Sequence, residues 1–290
     1  MAMMVRQVEG GRLAIIAGGG RLPFYVAEAA RANGEQPFIF ALNGESSIDW
    51  AGFDHEAIAV SNISRFKVRA DALGIDRIIM SGSVSRRPAL GEMRLGWRGI
   101  LKIPKMIRTI IGGGDNTVLT AVIELLEDEK RRVIAVQDVV PSLLATLGPI
   151  GNVRPDAADL KDIAAATQAA RLLGSLDVGQ GAVAVGGRVV ALEGPEGTDA
   201  MLGRVADLKS AQRISARRRG VLVKLCKPQQ DLRVDLPSAG LATIENAHAA
   251  GLAGVALEAG RALLLDADAV RAFADSHGMF LVGIDIGDFP

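Results

Sequence analysis

Apolar positions along the chain fall into two periods, and the change from one to the other marks the elements. RLAIIA (12–17) is a short, nearly continuous apolar run that suits a buried parallel strand, and it ends in Gly18, Gly19 and Gly20. PFYVAEAARANG (23–34) then takes helical spacing, with Pro23 near its start and Gly34 near its end. PFIFAL (37–42) and HEAIAV (55–60) read as strands, RFKVRADALGI (65–75) as a helix, and DRIIMSGSV (76–84) as another strand. After a less regular, basic stretch, TVLTAVIELLEDE (117–129) is an amphipathic helix and RRVIAVQDVVP (131–141) a strand. Strands that alternate with helices in this way predict a doubly wound parallel sheet.

The second half has a different rhythm. Polar NVRPDAAD (152–159) marks a domain boundary, which gives an N-terminal Rossmann-like domain over 11–152 and a mixed α/β domain over 153–290. DLKDIAAATQAARLLGSLD (159–177) is an Ala-rich helix, and GAVAVGGRVVALEG (181–194) holds two β-rich runs around Gly186-Gly187, a strong hairpin signal. DAMLGRVADLKSAQRIS (199–215), TIENAHAAG (243–251) and VRAFADSHG (270–278) read as helices, with GVLVKLCK (220–227) and MFLVGID (279–285) as strands. GVALEAGRALLLD (254–266) reads as a second hairpin or a pair of strands.

In KPQQDLRVDLPSAG (227–240), Asp231, Arg233 and Asp235 share one parity and Leu232, Val234 and Leu236 the other. A strand there would carry two carboxylates and a guanidinium over three aliphatic side chains. That face either meets water or holds a metal ion and a phosphate.

Composition narrows the chemistry. The 290 residues carry 33 acidic and 33 basic side chains and few aromatics, which argues against a nucleic-acid partner. Cys226 is the single cysteine, so no internal disulfide can form and a reducing cytoplasm is expected. His55, His248 and His277 are dispersed, without zinc-site spacing. No apolar run is long enough to span a bilayer, although contact with a membrane surface stays open.

Five other places carry candidate chemistry. The run Gly18–Gly20 with Arg21 stands between a strand and a helix, where it is either a phosphate cradle or a tight turn. GGGDN (112–116), with Gly114 and Asp115, is either a helix cap or a second anion nest. In LEGPEGTDAML (192–202), Glu193, Glu196 and Asp199 lie on a Gly/Pro loop that suits Mg²⁺, or else form a solvated acidic turn, with Thr198 or Asp199 capping the next helix. Lys224, Lys227, Gln230 and Arg233 supply donors for a phosphorylated ligand, or else line a salt-bridged edge strand. The basic, apolar region 86–108 suits either domain packing or acyl chains.

Together RLAIIAGGGRLP, SGSVSRRP, GGGDNTVLTAVIELLEDE, VALEGPEGTDAMLGR and VKLCKPQQDLRVDLPSAGLATIENA resemble the LpxI-type UDP-2,3-diacylglucosamine pyrophosphatases, over roughly residues 11 to 286. The resemblance implies two α/β domains with the substrate between them and a cytoplasmic, Mg²⁺-dependent enzyme of lipid A biosynthesis. Water would attack the sugar-side β-phosphorus, giving UMP and 2,3-diacylglucosamine 1-phosphate (lipid X). Contact with the inner membrane and a homodimer stay open. It implies catalytic Asp231 or Asp235 with Arg233 and Lys227, and metal or water-orienting roles for Glu193, Glu196 and Asp199. Gly18, Gly19, Gly20, Arg21, Gly114, Asp115, Thr198, Lys224 and Gln230 are then candidates for holding substrate. The alternative is a nucleotide- or lipid-binding protein without catalysis.

Overall fold

The computed structural model describes residues 11–84, 115–215 and 217–289. Contacts divide the chain into two compact units, Met1–Pro141 with Asp231–Asp235, and Ser142–Gln230 with Leu236–Pro290.

The first unit contains β1 (Arg12–Ala17), α1 (Leu22–Ala32), β2 (Phe38–Leu42), β3 (His55–Ile58), α2 (Ile63–Ala72), β4 (Ile75–Ser81), α3 (Asp115–Leu126) and β5 (Arg132–Val133). Its strands are all parallel, in the order β3-β2-β1-β4-β5. From β1 the chain runs outward through β2 and β3, then returns to β1's other side, so β1 and β4 flank a topological switch point. β1 is buried on both faces, with Leu13, Ala14 and Ile15 fully covered, which is why it shows no polar alternation. Asn62 caps α2 by accepting the Arg65 N–H, and Pro23 sits in the first turn of α1. The strand expected over 131–141 ends after Val133, because Asp138 accepts the Ala135 N–H and starts a helical turn at Val136–Val139.

The second unit is built on a six-stranded mixed sheet and a parallel strand pair. Its elements are β6 (Gly148–Pro149), α4 (Ala157–Ser175), β7 (Gly181–Val185), β8 (Arg188–Leu192), α5 (Gly197–Ser210), β9 (Gly220–Lys224), β10 (Ser238–Ala239), α6 (Leu241–Ala249), β11 (Leu252–Glu258), β12 (Leu263–Leu264), α7 (Ala267–Ser276) and β13 (Phe280–Ile284). The main sheet runs β6-β13-β11-β9-β7-β8, with β9, β11 and β13 mutually parallel, β7 antiparallel to both β9 and β8, and β6 antiparallel to β13. Gly186 and Gly187 both take positive φ at the hairpin tip, as a two-residue turn requires. Alternate residues feed two cores. Leu222, Val255 and Leu281 meet Met201, Val205, Ile244 and Val270, while Val221, Val223, Ala256 and Phe280 meet Ile163, Ala166 and Ala170 of the Ala-rich α4. The runs within 254–266 do not form a hairpin, since β11 joins the main sheet and β12 pairs with β10.

The strand expected over 231–236 is absent. The Val234 and Asp235 amides both donate to the Asp231 carbonyl, at 3.1 and 3.2 Å, so these residues form a helical turn rather than an alternating face. Asp231 imposes that choice, because its Oδ1 accepts the Arg233 N–H at 3.0 Å and so competes with sheet pairing.

At the end of β1, the Gly18 amide donates to the Ser81 carbonyl at 2.8 Å, and Gly19 and Ser83 exchange both backbone bonds, at 2.7 and 3.0 Å. A side chain at Gly18 would collide with the Ser83 carbonyl oxygen, which is backbone and cannot swing away. Gly18→Ala is expected to cost about 1–3 kcal/mol and to lower the melting temperature. An unchanged melting curve would show that the turn has slack.

Candidate functional site

The strand directions of the second unit gather its polar side chains along one edge. The register pairs Lys224 with Gly181 and with Leu257, and Ala182 with Leu192. The carboxyl ends of β9, β11 and β8 therefore lie together beside the start of β7, the edge at which open α/β sheets take ligands.

Lys224, expected to meet substrate, is buried instead, at 4% exposure. Its Nζ donates to the Ser238 carbonyl at 2.7 Å, which ties β9 to β10. Burial pushes its pKa down, and the nearby carboxylates of Glu193 and Asp199 oppose that shift. Glu193 is also buried: Oε1 accepts the Thr198 hydroxyl at 2.9 Å, and Oε2 has no partner among the described residues. Gly181 makes room for it, since a Cβ there would lie 2.5 Å from Oε2.

Glu193, Glu196 and Asp199, expected to hold a metal ion, to orient water or to form a solvated acidic turn, each have a local partner. Glu196 pairs with Arg204 at 2.6 Å and accepts the Gly194 amide, and Asp199 accepts from Asn246 at 3.0 Å. Among the described residues no three His, Cys, Asp or Glu side chains converge as a metal cluster.

The KPQQ segment is pinned by groups that sequence reasoning passed over. Glu258, at the end of the fully buried β11, accepts the Cys226 amide at 2.8 Å and pairs with Arg261 at 3.3 Å. An acidic residue closing an apolar strand was the available signal. Lys227 is held by Asp177 at 2.9 Å, and Gln229 donates to the Gly174 carbonyl at 2.9 Å. Gln230 is buried. Its Oε1 accepts the Lys227 amide at 3.0 Å, and its Nε2 has no partner among the described residues.

In the first unit, the turn at 231–235 distinguishes its two aspartates. Both Asp231 oxygens accept from Arg233, the closest contact being 2.7 Å, and Arg233 also reaches Glu127 at 3.2 Å. Gln137 donates to the Leu232 carbonyl at 3.0 Å, and Val234 packs on the core around Phe40 and Ile78. Asp235 is half-buried, and its carboxylate makes no hydrogen bond or ion pair among the described residues. Thus Asp231 and Arg233 spend their charge on each other, while Asp235 keeps its acceptors.

The glycine run supplies less than expected for a phosphate, because the Gly18 and Gly19 amides already bond to Ser81 and Ser83. Gly20 has φ +79°, and Arg21, just before α1, places its guanidinium 5.6 Å from the Tyr25 ring centroid. Asp115 opens α3, whereas Gly114 and the basic region 86–108 lie outside the described residues.

The Arg233 hydrogen bonds hold the Asp231 carboxyl below the usual carboxylate range, against the opposing effect of burial. A depressed folded pKa means that this stabilisation is present above the unfolded pKa, about 3.9, and is lost as pH falls through the folded value. Asp231→Asn is expected to lower the melting temperature at neutral pH, with the deficit closing toward zero under acid conditions. A deficit independent of pH would rule out the ion pair as its source.

The LpxI N-terminal domain family matches residues 12–143, and the LpxI C-terminal domain family matches residues 146–282. The UDP-2,3-diacylglucosamine pyrophosphatase LpxI of Caulobacter vibrioides is 38% identical over 280 residues, which cover 96% of this chain and 99% of that protein. With both domain families matched in order along a chain that folds into two α/β units, the chain belongs to the LpxI family.

Proposed function

We propose that this protein hydrolyses the pyrophosphate bond of UDP-2,3-diacylglucosamine to UMP and 2,3-diacylglucosamine 1-phosphate, in lipid A synthesis. The observation that carries this reading is the 38% identity to a pyrophosphatase of that name, spread over 96% of the chain. The side chains support it from below. Among the described residues the candidate edge is polar but holds no Ser–His or Cys–His pairing that would form a covalent intermediate, and Cys226 is buried beside Gln230. Carboxylate-directed attack by water on an anhydride needs no such nucleophile.

Asp235 is the residue assigned to that attack in this proposal. A half-buried carboxylate without a competing cation can accept a proton from water or ligate a hard cation. Asp231 cannot do so without first giving up Arg233. The described residues form no all-protein metal cage, but Mg²⁺ does not require one, because it keeps several waters and uses one or two carboxylates with substrate phosphates. Asp235 fits that mode, and the bound ion would neutralise charge on the departing UMP. Attack at the sugar-side β-phosphorus leaves the new oxygen on the diacylglucosamine phosphate. No helix among the described residues is long and apolar enough to cross a membrane, so a diacylated substrate would be met at the bilayer surface.

Incubation with UDP-2,3-diacylglucosamine in ¹⁸O-water should release UMP with Mg²⁺ and none with EDTA, and should label only the lipid product. Asp235→Asn should reduce turnover by about 10²-fold or more. Undiminished turnover by that variant would remove Asp235 from the reaction. Label in UMP would move the attack to the uridine-side phosphorus, and no UMP under any metal condition would leave a binding protein.

A further inference from the structure

The Thr198 hydroxyl lies in the first turn of α5, a place where hydroxyls commonly donate to a phosphate oxygen. Here that proton is already committed. Glu193 Oε1 accepts it at 2.9 Å, from a side chain that is only 6% exposed. The hydrogen bond runs from the Thr198 hydroxyl to this carboxylate, and the buried Lys224 lies near it. Its second oxygen, Oε2, is buried without a partner among the described residues, an arrangement that costs stability. Gly181 is needed to make space for that oxygen. The neighbourhood is otherwise rich in acceptors, with Asp199 next in sequence and exposed, and the exposed Arg204 paired with Glu196.

We infer that Glu193 is a positioning residue that turns the Thr198 hydroxyl so that it offers lone pairs, and that Thr198 accordingly binds an O–H or N–H donor of the substrate rather than a phosphate oxygen. This inference rests on the proposed substrate, a UDP-sugar lipid, which carries such donors at both ends: the imide and ribose hydroxyls of uridine, and the free hydroxyls of the glucosamine. The anhydride between them carries only acceptors. Lone pairs set against phosphate oxygens would repel, so the 193–199 loop selects a flanking group and leaves the phosphates to cations elsewhere.

Calorimetry or ligand-observed NMR on the full chain can test this without turnover, using UMP, glucosamine 1-phosphate and inorganic pyrophosphate as separate probes. Thr198→Val keeps the shape and removes the acceptor. It should weaken UMP or glucosamine 1-phosphate by about tenfold, with pyrophosphate unchanged, and Thr198→Ser should restore affinity. The probe affected identifies which end of the substrate is held. Glu193→Gln keeps a carbonyl acceptor for the Thr198 proton and should retain the preference. Glu193→Leu frees that proton, and should weaken the donor-bearing probe while strengthening pyrophosphate. If Glu193→Leu does not fold, the valine and serine variants decide the matter alone. Equal loss of pyrophosphate with Thr198→Val, no change with any probe, or no detectable binding of either donor-bearing probe to the wild type would each overturn the inference. Absence of UMP release together with Thr198-dependent binding would instead sink the proposed reaction and leave this site standing.

Discussion

An ammonium group buried at the end of a β-strand has to be provided for, and the polar edge of the second unit is arranged around that need at Lys224. Desolvation disfavours its charge, and a carbonyl and nearby carboxylates restore part of what water would have supplied. Meeting that requirement ties the end of β9 to β10 through the Ser238 carbonyl, and Glu193, from the loop that follows β8, is buried nearby. Glu193 in turn takes the Thr198 hydroxyl proton, which sets how the first turn of α5 presents that hydroxyl. A polar network of this kind contributes little net stability. What it does supply is one defined arrangement of hydrogen-bonding groups.

The same competition for partners runs through the first unit, with the opposite outcome for its two aspartates. Asp231 is both the start of a turn and the counterion of Arg233, and those bonds hold its acceptors in place. Asp235, four residues on, follows the turn without acquiring a cation among the described residues. Chemistry at an anhydride calls for a carboxylate of the second kind, since one already shared with a guanidinium has less to offer a metal or a water. Glu196 and Asp199 resemble Asp231 in this respect, each being satisfied by a neighbour. Two of the three loop carboxylates that suggest a metal site in the sequence thus have a neighbouring donor.

Where a segment's conformation follows from its own residues, the sequence was readable. The apolar runs of β1 and β4, the Gly186-Gly187 hairpin and the Ala-rich α4 all carry their instructions locally, in periodicity, turn glycines and small side chains that permit close packing. The motif segments also pointed to the LpxI family, which both matched domain families show. The stretch at 231–236 was misread for an equally local reason. Strict alternation outweighed the tendency of Asp231 to bond to the backbone two residues on, which closes a turn before any strand can form.

What the sequence determined by itself, then, was the succession of strands and helices, the change from a parallel to a mixed sheet, and the residue types available for phosphate and cation chemistry. Only tertiary structure decided which of those residues remain available. Charges far apart in sequence compete for each other once packed, and the outcome depends on burial and distance, which alternation and composition do not encode. Lys227 finds Asp177, the Cys226 amide finds Glu258, and Lys224 disappears into the sheet, while Asp235 acquires no partner among the described residues.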